Sequence, residues 1–231
     1  MEEIPPERLD RLDELRRGLR HGDQATQEEI EALHEEWEKD REVLRPREGD
    51  ERFDLVDRTG KPTGVTAPRW LCHLLGLRHR CAHVLIIWRS PNLGDVFLLQ
   101  VRHWERPDSP GHLDISVGGH VKSPATPQAT AYVEMREELN ISTYLVHFGG
   151  YVIDNDDVRP EKHFFNAEWR DVYVGEISTT GLEGVRFSDE EVVGLYLCPR
   201  AQAPQLLQQE HVPIASALEY SLPFILRTLG D

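Results

Sequence analysis

Two apolar runs on either side of a turn constrain this chain more than any other feature. "CAHVLIIW" (81–88) is almost continuously apolar and rich in branched residues, "SPNLGD" (90–95) is turn-forming, and "VFLLQVR" (96–102) returns in kind. Branched and aromatic side chains suit a pleated surface, and runs this short bounded by Pro, Asn and Gly read as a buried hairpin rather than as helix. Further strand-like runs follow: "FDLVDRTGKPTGV" turning at Thr59-Gly60, "HLDISVGGH", "YLVHFGGYVID", "WRDVYVGEI" and "EVVGLYLCP". Between them lies a helix from the N-cap residue Thr126 through Pro127 to Asn140, and helical stretches close the chain around 204–209 and 214–229. Strands and helices interspersed in this way predict an α/β fold, a mixed sheet packed between helices.

Residues 1–50 differ in kind. They hold 17 acidic and 9 basic side chains, more than half of the net charge of −15 in about a fifth of the 231 residues. Leu9, Leu12, Leu15 and Leu19 recur at helical spacing, with His21-Gly22 as a helix end. Thr26 and Glu29 have the form of a capping box ahead of a second helix bearing Ile30, Leu33, Trp37 and Leu44 before Pro46. Each apolar stripe is too narrow to be stable alone in water, so this 1–50 acidic helical extension is expected to dock on the main domain, 51–231, with a homodimer contact as the alternative. The negative charge argues against nucleic acid polymers and anionic lipid as partners and for small molecules or proteins. With no run of eighteen apolar residues and a charged N-terminus, a cytoplasmic location is expected, without a membrane partner. Cys72, Cys81 and Cys198, odd in number and without CxxC spacing, are expected to be reduced and buried, in neither a disulfide framework nor a zinc site.

The chemistry is concentrated in "GGHVKSPATPQATAYVEMREELNI". Glu134, Glu137 and Glu138 fall at i, i+3 and i+4 and share one helix face, where their mutual repulsion makes sense if a hard cation such as Mg2+ or Mn2+ neutralises them. The preceding pair Gly118-Gly119 lets backbone approach that ion or its substrate. A bare solvated acidic face is the competing reading.

This stretch resembles the Nudix box, G-x5-E-x7-R-E-U-x-E-E-x-G-U with U aliphatic. With Gly119 on its first glycine, Glu134, Met135, Glu137, Glu138 and Ile141 match. Ala125 stands in place of the first glutamate, Val133 in place of the arginine and Asn140 in place of the late glycine. The resemblance extends over roughly residues 52–225 and points to Nudix proteins related to isopentenyl diphosphate isomerase. It implies a Nudix-like α/β/α sandwich, with Glu134, Glu137 and Glu138 as metal ligands and catalytic groups. It also implies Glu168 as a metal-linked proton-transfer residue, Arg102 as a diphosphate-binding base, and His120 with Gly118 and Gly119 at the substrate. His73, His79 and His120 fall close to the histidines that hold the isomerase's metal. Gly118 stands where that enzyme has its catalytic cysteine, and Asn166 where it has a second metal carboxylate.

The expectation is therefore a metal-dependent hydrolase of a small-molecule diphosphate linkage. The alternatives are a Nudix-fold binding or regulatory protein, motivated by Ala125 and Val133, and an isomerase with a changed proton donor. His79 and His83 read as ordinary residues flanking a strand, open to solvent, and Glu190-Glu191 as a structural strand start. Residues 104–112 and 153–163 are expected to line the pocket.

Overall fold

In the computed structural model, which describes residues 4–45, 48–106, 108–159, 163–187 and 191–230, the first leucine stripe forms α1 (Pro6–Leu19). A single 3-10 turn over Arg20–Gly22 ends it, with His21 and Gly22 both at positive φ. The capping box is present: the Thr26 hydroxyl accepts from the Glu29 N–H, and the Glu29 carboxylate accepts from the Thr26 N–H at 2.8 Å. The helix it starts does not run unbroken to Leu44. It divides into α2 (Gln27–Trp37), a 3-10 turn and α3 (Arg41–Leu44). The cause is thirty residues away. Arg8 donates to the Glu36 carbonyl at 3.1 Å and pairs with Asp40, taking the acceptor that the Asp40 N–H would use in a continuous α-helix.

The rest of the chain is mixed α/β, and among the described residues it brings the total to eight α-helices and nine strands. β1 (Arg52–Val56), β2 (Pro62–Pro68) and α4 (Arg69–Leu75) lead into β3 (His79–Ser90) and β4 (Gly94–Arg102). "HLDISVGGH" makes two short strands, β5 (Leu113–Asp114) and β6 (Val117–His120). α5 (Pro127–Leu139), β7 (Leu145–Arg159), β8 (Phe164–Ile177), α6 (Thr179–Glu183), β9 (Val192–Pro199), α7 (Ala203–Leu206) and α8 (Ser216–Leu229) complete the order. The short helices α4 and α6 are not apparent in the sequence pattern, because α4 is buried on nearly every side and has no polar face to give it a period. No described helix is long and apolar enough to cross a membrane.

The contacts divide the chain into two units. The first comprises Met1–Cys81, His120–Thr126 and Gly150–Arg170. Its core joins Leu12, Ile30, Leu33, Trp37 and Leu44 of the acidic segment to Phe53, Leu55, Trp70, Leu71 and Leu74. The N-terminal helices thus dock in cis, within the same unit as residues 51–81 rather than in one ending at residue 50. β1 pairs antiparallel with β2 and meets β3 at Leu55↔His79, and the Val121 N–H donates to Arg80 O at 2.9 Å. The Thr59-Gly60 turn is as expected, with Gly60 at φ +77° and its backbone against the Trp169 indole.

The second unit comprises Ala82–Gly119, Pro127–Gly149 and Asp171–Asp231. Its centre is the expected hairpin, with β3 and β4 in register from Ile86↔Leu98 to Ser90↔Gly94. β4 also pairs antiparallel with β5 and β9, and one isolated parallel bridge joins Leu113 to Ile214. Buried Ser116 ties two of these strands together: its hydroxyl accepts from the Ile86 N–H at 2.8 Å and donates to Leu98 O. α8 packs Leu218, Leu222 and Ile225 into this unit, and its Ser221 hydroxyl bonds His83 Nδ1 at 2.8 Å. All three cysteines are buried thiols outside any disulfide.

Candidate active site and metal centre

Within the second unit, α5 carries the glutamates. Glu138 is buried and accepts a hydrogen bond from the Gln100 amide on β4 at 3.3 Å, whereas Glu134 is half-buried and Glu137 exposed. Glu134 lies directly on the glycine strand: a Cβ placed on Gly119 would come within 2.5 Å of its Oε1 and 2.7 Å of its Cγ. Only a residue without a side chain allows that approach. Gly118 is different, since a Cβ there would make an ordinary 3.5 Å contact with His83 Cδ2. Asn140 takes φ +54° at the end of α5, the left-handed conformation a glycine would supply, while Met135 and Ile141 are buried beneath the helix. Val133 is 48% exposed and Ala125 is also exposed, so neither replacement leaves an unpaired charge in the interior.

Arg102 does not point free into a pocket. Its guanidinium pairs with Asp114 at 2.9 Å and donates twice to Asp108 O, at 3.0 and 3.2 Å, bracing the loop of residues 104–112. Residues 160–162 of the second expected pocket loop, the side chains of 155–159, and Glu190 lie outside the described residues.

A second constellation lies wholly in the first unit, where α4, β3, β6 and β8 converge. The rings of His73, His79 and His120 stand 5.1 to 5.2 Å apart, centroid to centroid, and Phe53 stacks on both His79 and His120. His73 is buried on α4, and His79 and, in the other unit, His83 are buried rather than open to solvent as their strand-flanking positions suggested. His79 Nδ1 donates to Leu77 O at 2.9 Å, and His73 Nδ1 donates to Glu48 at 2.8 Å. Each of these bonds fixes the tautomer with the lone pair on Nε2, and both Nε2 atoms are buried without a partner. His120 Nε2 stands 3.5 Å from Glu168 Oε1, an electrostatic contact longer than a good hydrogen bond. Cys81 Sγ donates to the same Oε1 at 3.0 Å, and Arg170 Nε donates to Oε2 at 2.7 Å.

Electrostatics prepare these groups to accept a cation. Burial, reinforced by mutual repulsion, pushes His79 down to about 4; burial also brings His120 to about 4, with Glu168 resisting the shift, so both imidazoles are neutral near pH 7. Burial pushes Glu168 upward, but Arg170 and the His120 contact outweigh it and hold the carboxyl well below the usual range. His79, Cys81, His120 and Glu168 place one ligand atom each within 4.8 Å of one another, the one such set among the described residues whose ligand atoms already converge this closely. Neutral, orphaned imidazole nitrogens beside an ionised carboxylate fit a divalent transition ion. The resemblance set His120 beside His73 and His79 as well as at the substrate, whereas the cysteine spacing set Cys81 aside from metal binding; the structure gathers both residues here. The sequence signal for Cys81 is its position two residues after His79 on a strand, which points both side chains to one face.

Residues 77–218, more than half of the chain, match the model of the NUDIX domain. The chain belongs to the Nudix family. Over 180 residues, 76% of this chain, it is 31% identical to Nudix hydrolase 3 of Arabidopsis thaliana, of whose length it spans only 23%. The fold is shared with DR0079 from Deinococcus radiodurans, at a TM-score of 0.54 and 17% identity over 75% of this chain and 98% of that one. It is shared also with the NUDIX domain of Shewanella oneidensis NrtR, solved with ADP ribose, at 0.51 and 13% over 65% and 88%. This Nudix chain thus matches the family through the elements that carry α5, Gly119, His79, His120 and Glu168.

Proposed function

We propose that this Nudix protein hydrolyses a diphosphate linkage in a small organic substrate with Mg2+ or Mn2+ held by Glu134, Glu137 and Glu138. The observation that carries this reading is the seating of Glu134 on the Gly119 backbone while Gln100 holds Glu138 buried on the same helix face. An ion there supplies Lewis acidity to the diphosphate oxygens and lowers the cost of charge developing at phosphorus. The chain's own groups do the rest. Gln100 orients Glu138, the exposed Glu137 keeps a carboxylate within reach of water, and the proton of the attacking water passes to one of these carboxylates. The His79, His120 and Glu168 group, with His73 beside it, fits a second divalent ion, as the resemblance to the isomerase branch implies.

A binding role without turnover is the second reading, favoured by Val133 and Ala125. A Nudix domain bound to ADP ribose among the fold neighbours gives that reading a ligand to test. Isomerisation finds less support, because Gly118 offers no proton donor. The test is phosphate release from a panel of nucleoside diphosphate derivatives, ADP-ribose and isoprenoid diphosphates, with and without Mg2+ or Mn2+. Turnover that needs the ion and falls by about a hundredfold or more in Glu138→Gln is expected. Undiminished turnover in that variant would overturn the assignment, and ligand binding without turnover would favour the second reading.

A further inference from the structure

The first unit holds a cavity of about 750 Å3 that the reading above does not use. α1 forms one wall with Asp13, Arg16 and Arg17, and Arg58, Arg78, Leu75 and Phe165 complete most of the lining. In a chain of net charge −15 this lining is cationic, with four arginines against two aspartates. Such a local reversal of sign attracts anions that the rest of the surface repels.

The arginines are not equivalent. Arg78 is fully buried and already neutralised by Asp23 and by Asp154, the latter at 2.7 Å. Arg16 is not so well served. Its side chain is 12% exposed, its guanidinium stacks 3.6 Å from the Phe165 ring centroid, and it donates through Nε to Leu74 O and through Nη1 to Asp13, each at 2.8 Å. Its Nη2 is buried with no acceptor among the described residues. Buried guanidinium N–H groups are almost always paired, and an orphaned one beside a cavity asks for an oxygen that none of the described residues provides. Burial draws this guanidinium down to about 10 even with Asp13 beside it, the direction expected of a cation short of counter-charge. Arg17 and Arg58 stand exposed nearby; among the described residues Arg17 bonds through Nε to the Asp13 carbonyl, and Arg58 pairs with Asp154. The volume far exceeds a single phosphate and suits a ligand of mononucleotide size, and Leu75 and Phe165 offer it apolar surface.

We propose that this pocket binds a small organic phosphate, with Arg16 and Arg17 taking the phosphoryl oxygens and Leu75 and Phe165 lining the organic part. Arginine suits this task because its fork of donors matches phosphate oxygens in pairs. The N-terminal helix is then a ligand-binding element and not only a cover for the core. The site uses no residue of α5, so it stands whether or not the chain hydrolyses diphosphates.

The experiment is calorimetric titration of the full chain in excess chelator, which silences any metal-dependent site, with ADP, inorganic pyrophosphate and succinate as probes. ADP is expected to bind more tightly than pyrophosphate, and succinate more weakly than either. Arg16→Gln and Arg17→Gln should each weaken ADP at least tenfold, while Glu138→Gln leaves its affinity unchanged. Arg17 is exposed, so Arg17→Gln separates lost binding from lost folding, with thermal melting as the check. The proposal is overturned by no ADP binding at millimolar concentration, by affinity untouched in both arginine variants, by tighter binding of succinate, or by binding lost with Glu138→Gln.

Discussion

Replacing either of two adjacent glycines by alanine should give opposite results. A Cβ on Gly119 would lie 2.5 Å from Glu134 Oε1, whereas ordinary contact begins near 3.4 Å, so the carboxylate must retreat by about 1 Å. Gly119 has no positive φ and the obstructing atoms belong to a flexible side chain, so the fold should tolerate the change. Removing glycine also restricts the unfolded chain, a gain of about 0.4–1 kcal/mol that offsets part of the crowding. Metal binding should suffer instead. Displacement of this order at a ligand or reacting group costs about 10- to 100-fold, so Gly119→Ala is expected to weaken Mn2+ by at least about tenfold and turnover by about a hundredfold. Gly118→Ala makes ordinary contacts with His83 at 3.5 Å and Ile115 at 3.7 Å and should match the wild type in both. Calorimetry with Mn2+ alone reads the affinity without knowledge of the substrate, and a thermal melt within a few degrees of wild type confirms folding. Wild-type Mn2+ affinity in Gly119→Ala, or equal losses in the two variants, would refute the placement of Glu134.

Three further outcomes follow from the geometry. Trp37 is fully buried in the core that joins the N-terminal helices to the rest of the first unit, so Trp37→Ala should cost about 3–5 kcal/mol in urea unfolding; a loss below about 1 kcal/mol would show that the extension is not part of that core. His79 titrates at about 4 in the fold and 6.5 ordinarily, so the unfolded chain binds the proton first. The stability this lends is full above pH 6.5 and is lost as pH falls from there to about 4, up to about 3 kcal/mol, and His79→Gln in chelator should flatten the melting profile over that window. Cobalt bound at the His79, His120 and Glu168 group should show a thiolate charge-transfer band that vanishes in Cys81→Ser, and a band that persists would remove Cys81 from the ligands.

What the sequence made legible was local. The hairpin of β3 and β4 follows from branched runs around a Pro-Asn turn, the capping box from Thr26 and Glu29, and the shared face of Glu134, Glu137 and Glu138 from helical spacing. What it concealed depends on partners far along the chain. The break between α2 and α3 comes from Arg8, and Arg102 is captured by Asp108 and Asp114. The gathering of His73, His79, Cys81, His120 and Glu168 rests on pairings such as Leu55↔His79 and Val121 to Arg80, which no periodicity announces. Burial of the histidines was equally hidden, since a histidine within an apolar run looks the same whether it faces solvent or a core.

The central claim is that water attacks phosphorus with the α5 carboxylates holding the ion, and turnover in water enriched in oxygen-18 tests it most directly. The account predicts one heavy oxygen in a phosphate product, formed only with Mg2+ or Mn2+ and lost in Glu138→Gln. A product carrying no label, or label incorporated equally well by that variant, would contradict it.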